Sequence, residues 1–202
     1  MTVAAKVVNL CTVVPRADMV FGLDTNVLFW LGYSKATTDP DVRRRVRPYS
    51  NFITKALSVG AHFQCTALNL VEAIHLIERT EFDLTWPTYR DIKKFREVAS
   101  NRESVGNEID VLWATATQTT TLVPSSLAEP EVRNMLRNQR LAEIGAYDMG
   151  ILESYSVAGV KMVLSDDRDF STYDSDVTVL TANPRCLEAA VAQNKLHPAD
   201  KL

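Results

Sequence analysis

Histidine and cysteine are scarce in this chain, and neither is arranged for metal chemistry. The three cysteines, Cys11, Cys65 and Cys186, are odd in number, far apart and without a Cys-x-x-Cys pair. That excludes a disulfide framework and lends nothing to a zinc site; a reducing compartment suits them, and the chain reads as cytoplasmic. Of the three histidines, His75 follows Glu72 by three residues, but a Glu-x-x-His pair serves a di-iron bundle only with a second copy. His62 and His197 supply none, so His75 reads as a packing or hydrogen-bonding group. A strong charge of one sign is also missing. With a net charge of -3 and a pI near 5.7, no global basic field announces nucleic acid, and any polyanion must be met by a local patch. No apolar run is long enough to span a membrane: Lys6, Arg16 and Asp18 interrupt the N-terminal stretch, which also lacks a signal-peptide layout. Internal repeats and low-complexity runs are absent.

What is present suits one globular domain of 202 residues, with 46% hydrophobic and 23% charged residues. Short apolar runs predict buried strands at Val20–Leu23, His62–Ala67, Val160–Leu164 and Val177–Thr181. Between them, apolar residues at helical spacing predict helices to about Tyr33 and over Val42–Val59, Leu68–Arg79, Gly145–Ala158 and Asn183–Gln193. Gly60 and Gly159 are the stops of two of these. Residues 80–144 read as a helical insertion, with helices at Pro87–Ala99, Glu108–Gln118 and Glu131–Ile144. Its basic residues, Lys93, Lys94 and Arg96 among them, interleave with Tyr89 and Phe95. Thr115–Thr121 reads as a loop or a mobile edge. Residues 1–18 form an extra segment, a strand or an arm. Alternating strands and helices point to an α/β fold with a mostly parallel sheet flanked by helices.

The informative residues are acids at the seams between elements. Asp24 follows the first apolar run directly, with Thr25 or Asn26 placed to cap the next helix. Its competing assignment is a turn or cap residue. Glu72 is embedded among apolar neighbours, where an ionised carboxylate costs several kcal/mol unless it snorkels, pairs with an arginine or meets a cation. Asp148 opens a helix, where the dipole favours it. Asp166, Asp167 and Asp169 crowd the end of another strand and repel one another unless neutralised. In a parallel sheet with right-handed crossovers, strand C-termini and helix N-termini share one edge, so these groups converge. Such an oxygen-rich cluster suits Mg²⁺ or Mn²⁺, which activates water and steadies the oxyanions of a phosphodiester.

The run LDTNVL at Leu23–Leu28, Glu72 in its apolar helix, Asp148 in AYDMGILESYSVAG and VLSDDRDF at Val163–Phe170 together resemble the PIN-domain ribonucleases. The resemblance covers about residues 19–182. It implies a three-layer fold and cleavage of RNA by water activated on Mg²⁺ or Mn²⁺. It further implies that Asp24, Glu72, Asp148 and Asp167 form the acidic pocket, with Asp169 as a further ligand. Asn26 (or Thr25) and Ser165 would orient ligands or water; Asp166 competes with Asp167 for one place. Many bacterial members are VapC-type toxins, held by an antitoxin protein and often homodimeric, although the segment before the first strand and the long helical middle depart from those compact proteins. Arg43, Arg44, Arg45 and Arg47 are the candidates for RNA contact. Two other classes stay open. One is a catalytically silent RNA- or protein-binding module. The other is a phosphohydrolase with Asp24 as nucleophile, which wants a second Asp where this chain has Asn26.

Overall fold

A computed structural model describes residues 2–88, 90–124 and 128–202. Seven strands form one sheet: β1 (Val7–Asn9), β2 (Val20–Leu23), β3 (His62–Thr66), β4 (Thr121–Val123), β5 (Met162–Leu164), β6 (Thr178–Thr181) and β7 (Leu196–His197). Their order is β4-β3-β2-β5-β6-β1-β7, and every pairing is parallel. The helices are α1 (Thr25–Gly32), α2 (Pro40–Ser58), α3 (Ala67–Thr85), α4 (Ile92–Glu97), α5 (Ala99–Thr119), α6 (Glu129–Asn138), α7 (Ala146–Val157) and α8 (Pro184–Ala192).

The alternation of side chains along each strand divides the core between two faces. Leu164 and Leu180 join a cluster with residues of α1, α2, α3 and α5, including Leu28, Tyr49, Ile77 and Leu112. Val163 and Val179 point the other way, onto Ile151, Leu152 and Tyr155 of α7. Val7 continues that face onto Cys186 and Ala190 of α8. The result is helix, sheet and helix in three layers. Among the described residues, no helix is long and apolar enough to cross a membrane.

Two glycines have a geometric reason. Gly60 ends α2 with φ +85°, a conformation that costs glycine little. Gly22 lies against the Tyr155 ring, which a Cβ would meet at 2.7 Å. That closeness lets the Tyr155 hydroxyl donate to the Leu23 carbonyl at 2.6 Å and accept from the Leu23 N–H at 3.0 Å. The end of β2 is thereby fastened to α7 beneath it.

Of the two readings of residues 1–18 the strand is the one found: β1 is seated inside the sheet between β6 and β7. Elements of the middle segment differ from expectation. The helix expected at Pro87–Ala99 is only α4, because the Asp91 side chain caps it at Lys93 and Lys94 and Val98 is extended. α5 starts at Ala99, well before Glu108, and α6 ends at Asn138, short of Ile144. Thr115–Thr119 belongs to α5 and Thr121 opens β4, the outermost strand on that side of the sheet, so the stretch is helix and edge strand rather than a loop. Phe95 is buried against Phe82 and Trp86 rather than presented to a ligand, and Tyr89 lies outside the described residues.

Candidate active site

Chain connections leave β2 toward β3 on one side and β5 toward β6 on the other. The gap above the C-terminal ends of β2 and β5 is therefore a topological switch point, the place where open α/β sheets bind ligands. Asp24 follows β2 directly, and the 165–169 run follows β5.

Asp24 occupies the N-cap position of α1, yet its side chain makes no cap bond, and Thr25 and Asn26 lie inside the helix rather than capping it. The Asp24 N–H donates to the Leu164 carbonyl at 2.9 Å, fixing the residue against β5. Its side chain is 0% exposed. Oδ2 accepts from the Ser165 hydroxyl at 2.8 Å, and Oδ1 is buried with no hydrogen-bond partner among the described residues. Burial pushes this carboxyl well above the usual range. The charges of Asp148, Asp167 and Glu72 push it further, against a lowering pull from Ser165.

Glu72 reaches the same place from the second turn of α3. The Thr25 hydroxyl donates to Glu72 Oε2 at 2.6 Å and accepts from Asn69 Nδ2 at 3.2 Å. Asn69 is itself set by a reciprocal capping box with Thr66 at the start of α3. Asp148, in the first turn of α7, is raised to about 7 by burial first, then by Glu72, Asp167 and Asp169. Asp169 is raised as well, by burial and by Asp167, with Arg168 opposing.

Neighbouring Asp166 and Asp167 have different partners. Asp166 is 5% exposed, ion-paired with Arg45 and bonded to the Tyr49 hydroxyl at 3.1 Å, while Asn183 Nδ2 holds its carbonyl at 2.7 Å. Asp167 turns to the acids. Its N–H donates to Ser165 Oγ at 2.9 Å, which directs the Ser165 hydroxyl onto Asp24, and its Oδ1 accepts from the Asp169 N–H at 2.9 Å. Asp166 is thus satisfied by a cation and a hydroxyl, whereas the electrostatic neighbours of Asp167 are Asp24, Asp148 and Asp169.

Among the described residues, no three acidic, histidine or cysteine side chains stand close enough to grip one ion between them. The donors still fit a hard divalent cation by kind: carboxylate and hydroxyl oxygens, one of them buried and unpartnered. Mg²⁺ typically keeps several waters and takes only one or two protein carboxylates directly, so a wide ring of acids is compatible with it.

Beside the acids lies a cleft of about 760 Å³, lined by Asn26 and Asp167 and by Arg44, Arg45, Arg168 and Arg185. Of the four arginines marked on α2, Arg44 and Arg45 reach it. Arg43 donates to the Thr37 carbonyl at 3.1 Å instead, and Arg47 is exposed and off the cleft. Arg168 and Arg185 escape a reading of charge runs, because each stands alone in its own segment. The available signal is position: Arg185 follows Asn183–Pro184, the start of a helix just past a strand end.

No protein-family model and no curated protein matches the chain. Among solved structures, FitAcB from Neisseria gonorrhoeae is similar, with a TM-score of 0.46 and 16% identity over 81% of this chain and 98% of that one.

Proposed function

We propose that the chain is a Mg²⁺- or Mn²⁺-dependent endoribonuclease of PIN type, with Asp24, Glu72, Asp148 and Asp167 around the ion and Asp169 at the rim. The observation that supports it best is Asp24, a wholly buried carboxylate repelled by three acids from three other elements and, among the described residues, with one oxygen unbonded and no cationic side chain paired to it. Repulsion of this kind is costly in a fold unless function requires it. A bound divalent ion supplies an acidified water and a positive charge facing the phosphodiester. The chain's own groups prepare the site. Ser165 occupies Asp24 Oδ2 and leaves Oδ1 for the ion. Thr25, steadied by Asn69, fixes one oxygen of Glu72. Asn26, where the cleft meets the acids, offers its amide to a phosphate oxygen or a water.

The test is RNA cleavage by the purified chain with Mn²⁺, with EDTA, and in an Asp24→Asn variant. Wild type should cut, EDTA should abolish cutting, and Asp24→Asn should lose more than the roughly 10–100-fold expected of an outer-shell change. Full activity in Asp24→Asn rejects the site. A catalytically silent module is the second reading, favoured by the wide spacing of the acids; RNA binding without Mn²⁺-dependent cutting would select it. As a VapC-type toxin, the chain would also be a homodimer restrained by an antitoxin. A small DNA-binding protein encoded alongside, whose co-expression suppresses cleavage, would support that partner.

A further inference from the structure

The arginine-lined cleft has a chemistry of its own. In a chain of net charge -3, it gathers cationic heads from three separate elements: α2, the turn after β5, and α8. Their partners differ. Arg45 is committed to buried Asp166, and its guanidinium covers the Trp30 ring at 5.6 Å. Among the described residues Arg44 pairs only with Asp41, one helical turn away, at 3.3 Å, with both side chains more than four-fifths exposed, a contact that water and salt dissolve readily. Arg168 is 3.7 Å from Asp169. Arg185 makes no ion pair among the described residues.

Arg44 and Arg185 are therefore free to meet an anion, Arg168 is held only by its long contact with Asp169, and all three border a groove that begins at Asn26 and Asp167. Among the described residues no aromatic side chain lines the groove, and Arg45 already covers the nearby indole. Without a stacking platform, the groove cannot hold bases the way single-strand binders commonly do. What it offers is planar guanidinium donors, which suit phosphate oxygens.

We infer that this cleft is a phosphate-backbone track for single-stranded nucleic acid on one side of the acidic centre, read through Arg44, Arg168 and Arg185 without regard to base. The inference rests on the nuclease reading for its place beside the acids, but not for its binding. A strand held there runs from the switch point between α2 and α8, so the nucleotides gripped all flank the reacting phosphate on one side. The opposite side of the centre, toward α3 and α7, contributes acids instead.

Binding of fluorescein-labelled 12-mers of oligo(U) and oligo(A) to the full chain in EDTA, followed by anisotropy over a salt series, tests this separately from catalysis. Both oligomers should bind alike. Arg44→Ala with Arg185→Ala should weaken both by at least about tenfold and flatten the salt slope by about 1.4, from about 0.7 per lost phosphate contact. Arg79→Ala with Arg133→Ala, an equal charge change on exposed i,i+4 pairs away from the cleft, should change little. Equal losses in the two double variants, no loss in the first, or a strong preference for one base would overturn the track. So would displacement by polyglutamate as readily as by unlabelled oligomer, which would mark a site for acidic protein segments. If cutting fails while the arginine-dependent binding holds, the nuclease reading falls and the cleft stands. If cutting proceeds unchanged in the arginine double variant, the cleft falls and the nuclease stands.

Discussion

Two carboxylates in this molecule are almost equally hidden and electrostatically opposite. Asp24 is 0% exposed, Glu81 3%. Glu81, two and a half turns beyond Glu72 on α3, is surrounded by donors: Lys35 at 2.6 Å, the Tyr33 hydroxyl at 2.6 Å and the Ser104 hydroxyl at 3.0 Å. Burial alone would raise its carboxyl, but these three bonds and the Lys35 charge win, and it is held below the usual range. Asp24 has one hydroxyl and three acids for company, and is pushed the other way. Both cluster around α3. One knots α1, α3 and α5 together, whereas the other is left electrostatically unfinished at the switch point. The pairing at Glu81 shows that this fold can supply a cation to a buried acid; among the described residues none is supplied at Asp24, and the ion proposed above would take that place.

The contrast is broken most forcefully by neutralising each acid in turn. Glu81→Gln should destabilise the protein by about 1.5–3 kcal/mol, the worth of hydrogen bonds to a charged group. Asp24→Asn, at neutral pH in EDTA, should instead stabilise it by about 1 kcal/mol, because it removes a repelled charge. Urea unfolding of the two variants decides the matter. A destabilised Asp24→Asn would mean that the ring of acids is not under strain.

The pH dependence sharpens the same point. Asp148 is raised to about 7 in the folded protein against about 3.9 in an unfolded chain, so folding takes up protons between those values. Stability without divalent ions should be highest near pH 4, fall as pH rises from there to about 7 and level off above it, by roughly 2 kcal/mol in all after allowing for solvent around this half-buried group. Glu81 works in the opposite sense, its contribution present above the unfolded value of about 4.3 and lost as pH falls through its depressed folded value. Saturating Mn²⁺ should therefore raise Tm more at pH 8 than at pH 5.5. An equal shift at both would separate ion binding from these acids.

The parts of this arrangement that were legible in sequence share one property: their signal is local. Val20–Leu23 reads as a buried strand because four apolar residues end abruptly in a carboxylate, and Glu72 stands out because its neighbours are apolar. β1, β4 and β7 are two or three residues long and stabilised by register with distant strands, so no periodicity marks them. Asp166 and Asp167 look alike in the chain. What separates them is Arg45 and Tyr49, more than a hundred residues earlier, which take one and leave the other. Among the four arginines of α2, sequence adjacency likewise conceals which reach the cleft, since their phase around the helix separates Arg44 and Arg45 from Arg43 and Arg47.

The finest comparison removes one hydroxyl from each centre. Ser104→Ala takes from Glu81 one of three donors, and the remaining Lys35 and Tyr33 keep the carboxylate satisfied. It should cost about 1 kcal/mol in stability and leave RNA cutting alone. Thr25→Val is nearly isosteric, but it removes the hydroxyl that passes the Asn69 hydrogen bond on to Glu72. Glu72 is half-buried and can turn to water, so stability should change by no more than about 1 kcal/mol. Its carboxylate would no longer be aimed, however, and outer-shell supports of this kind are worth about 10–100-fold in metal affinity or activity. The Mn²⁺ concentration for half-maximal cutting should rise accordingly, with little change at saturating Mn²⁺. A Thr25→Val protein as metal-sensitive as the wild type would show that Glu72 needs no aiming, and would move the centre's working acids to Asp24, Asp148 and Asp167.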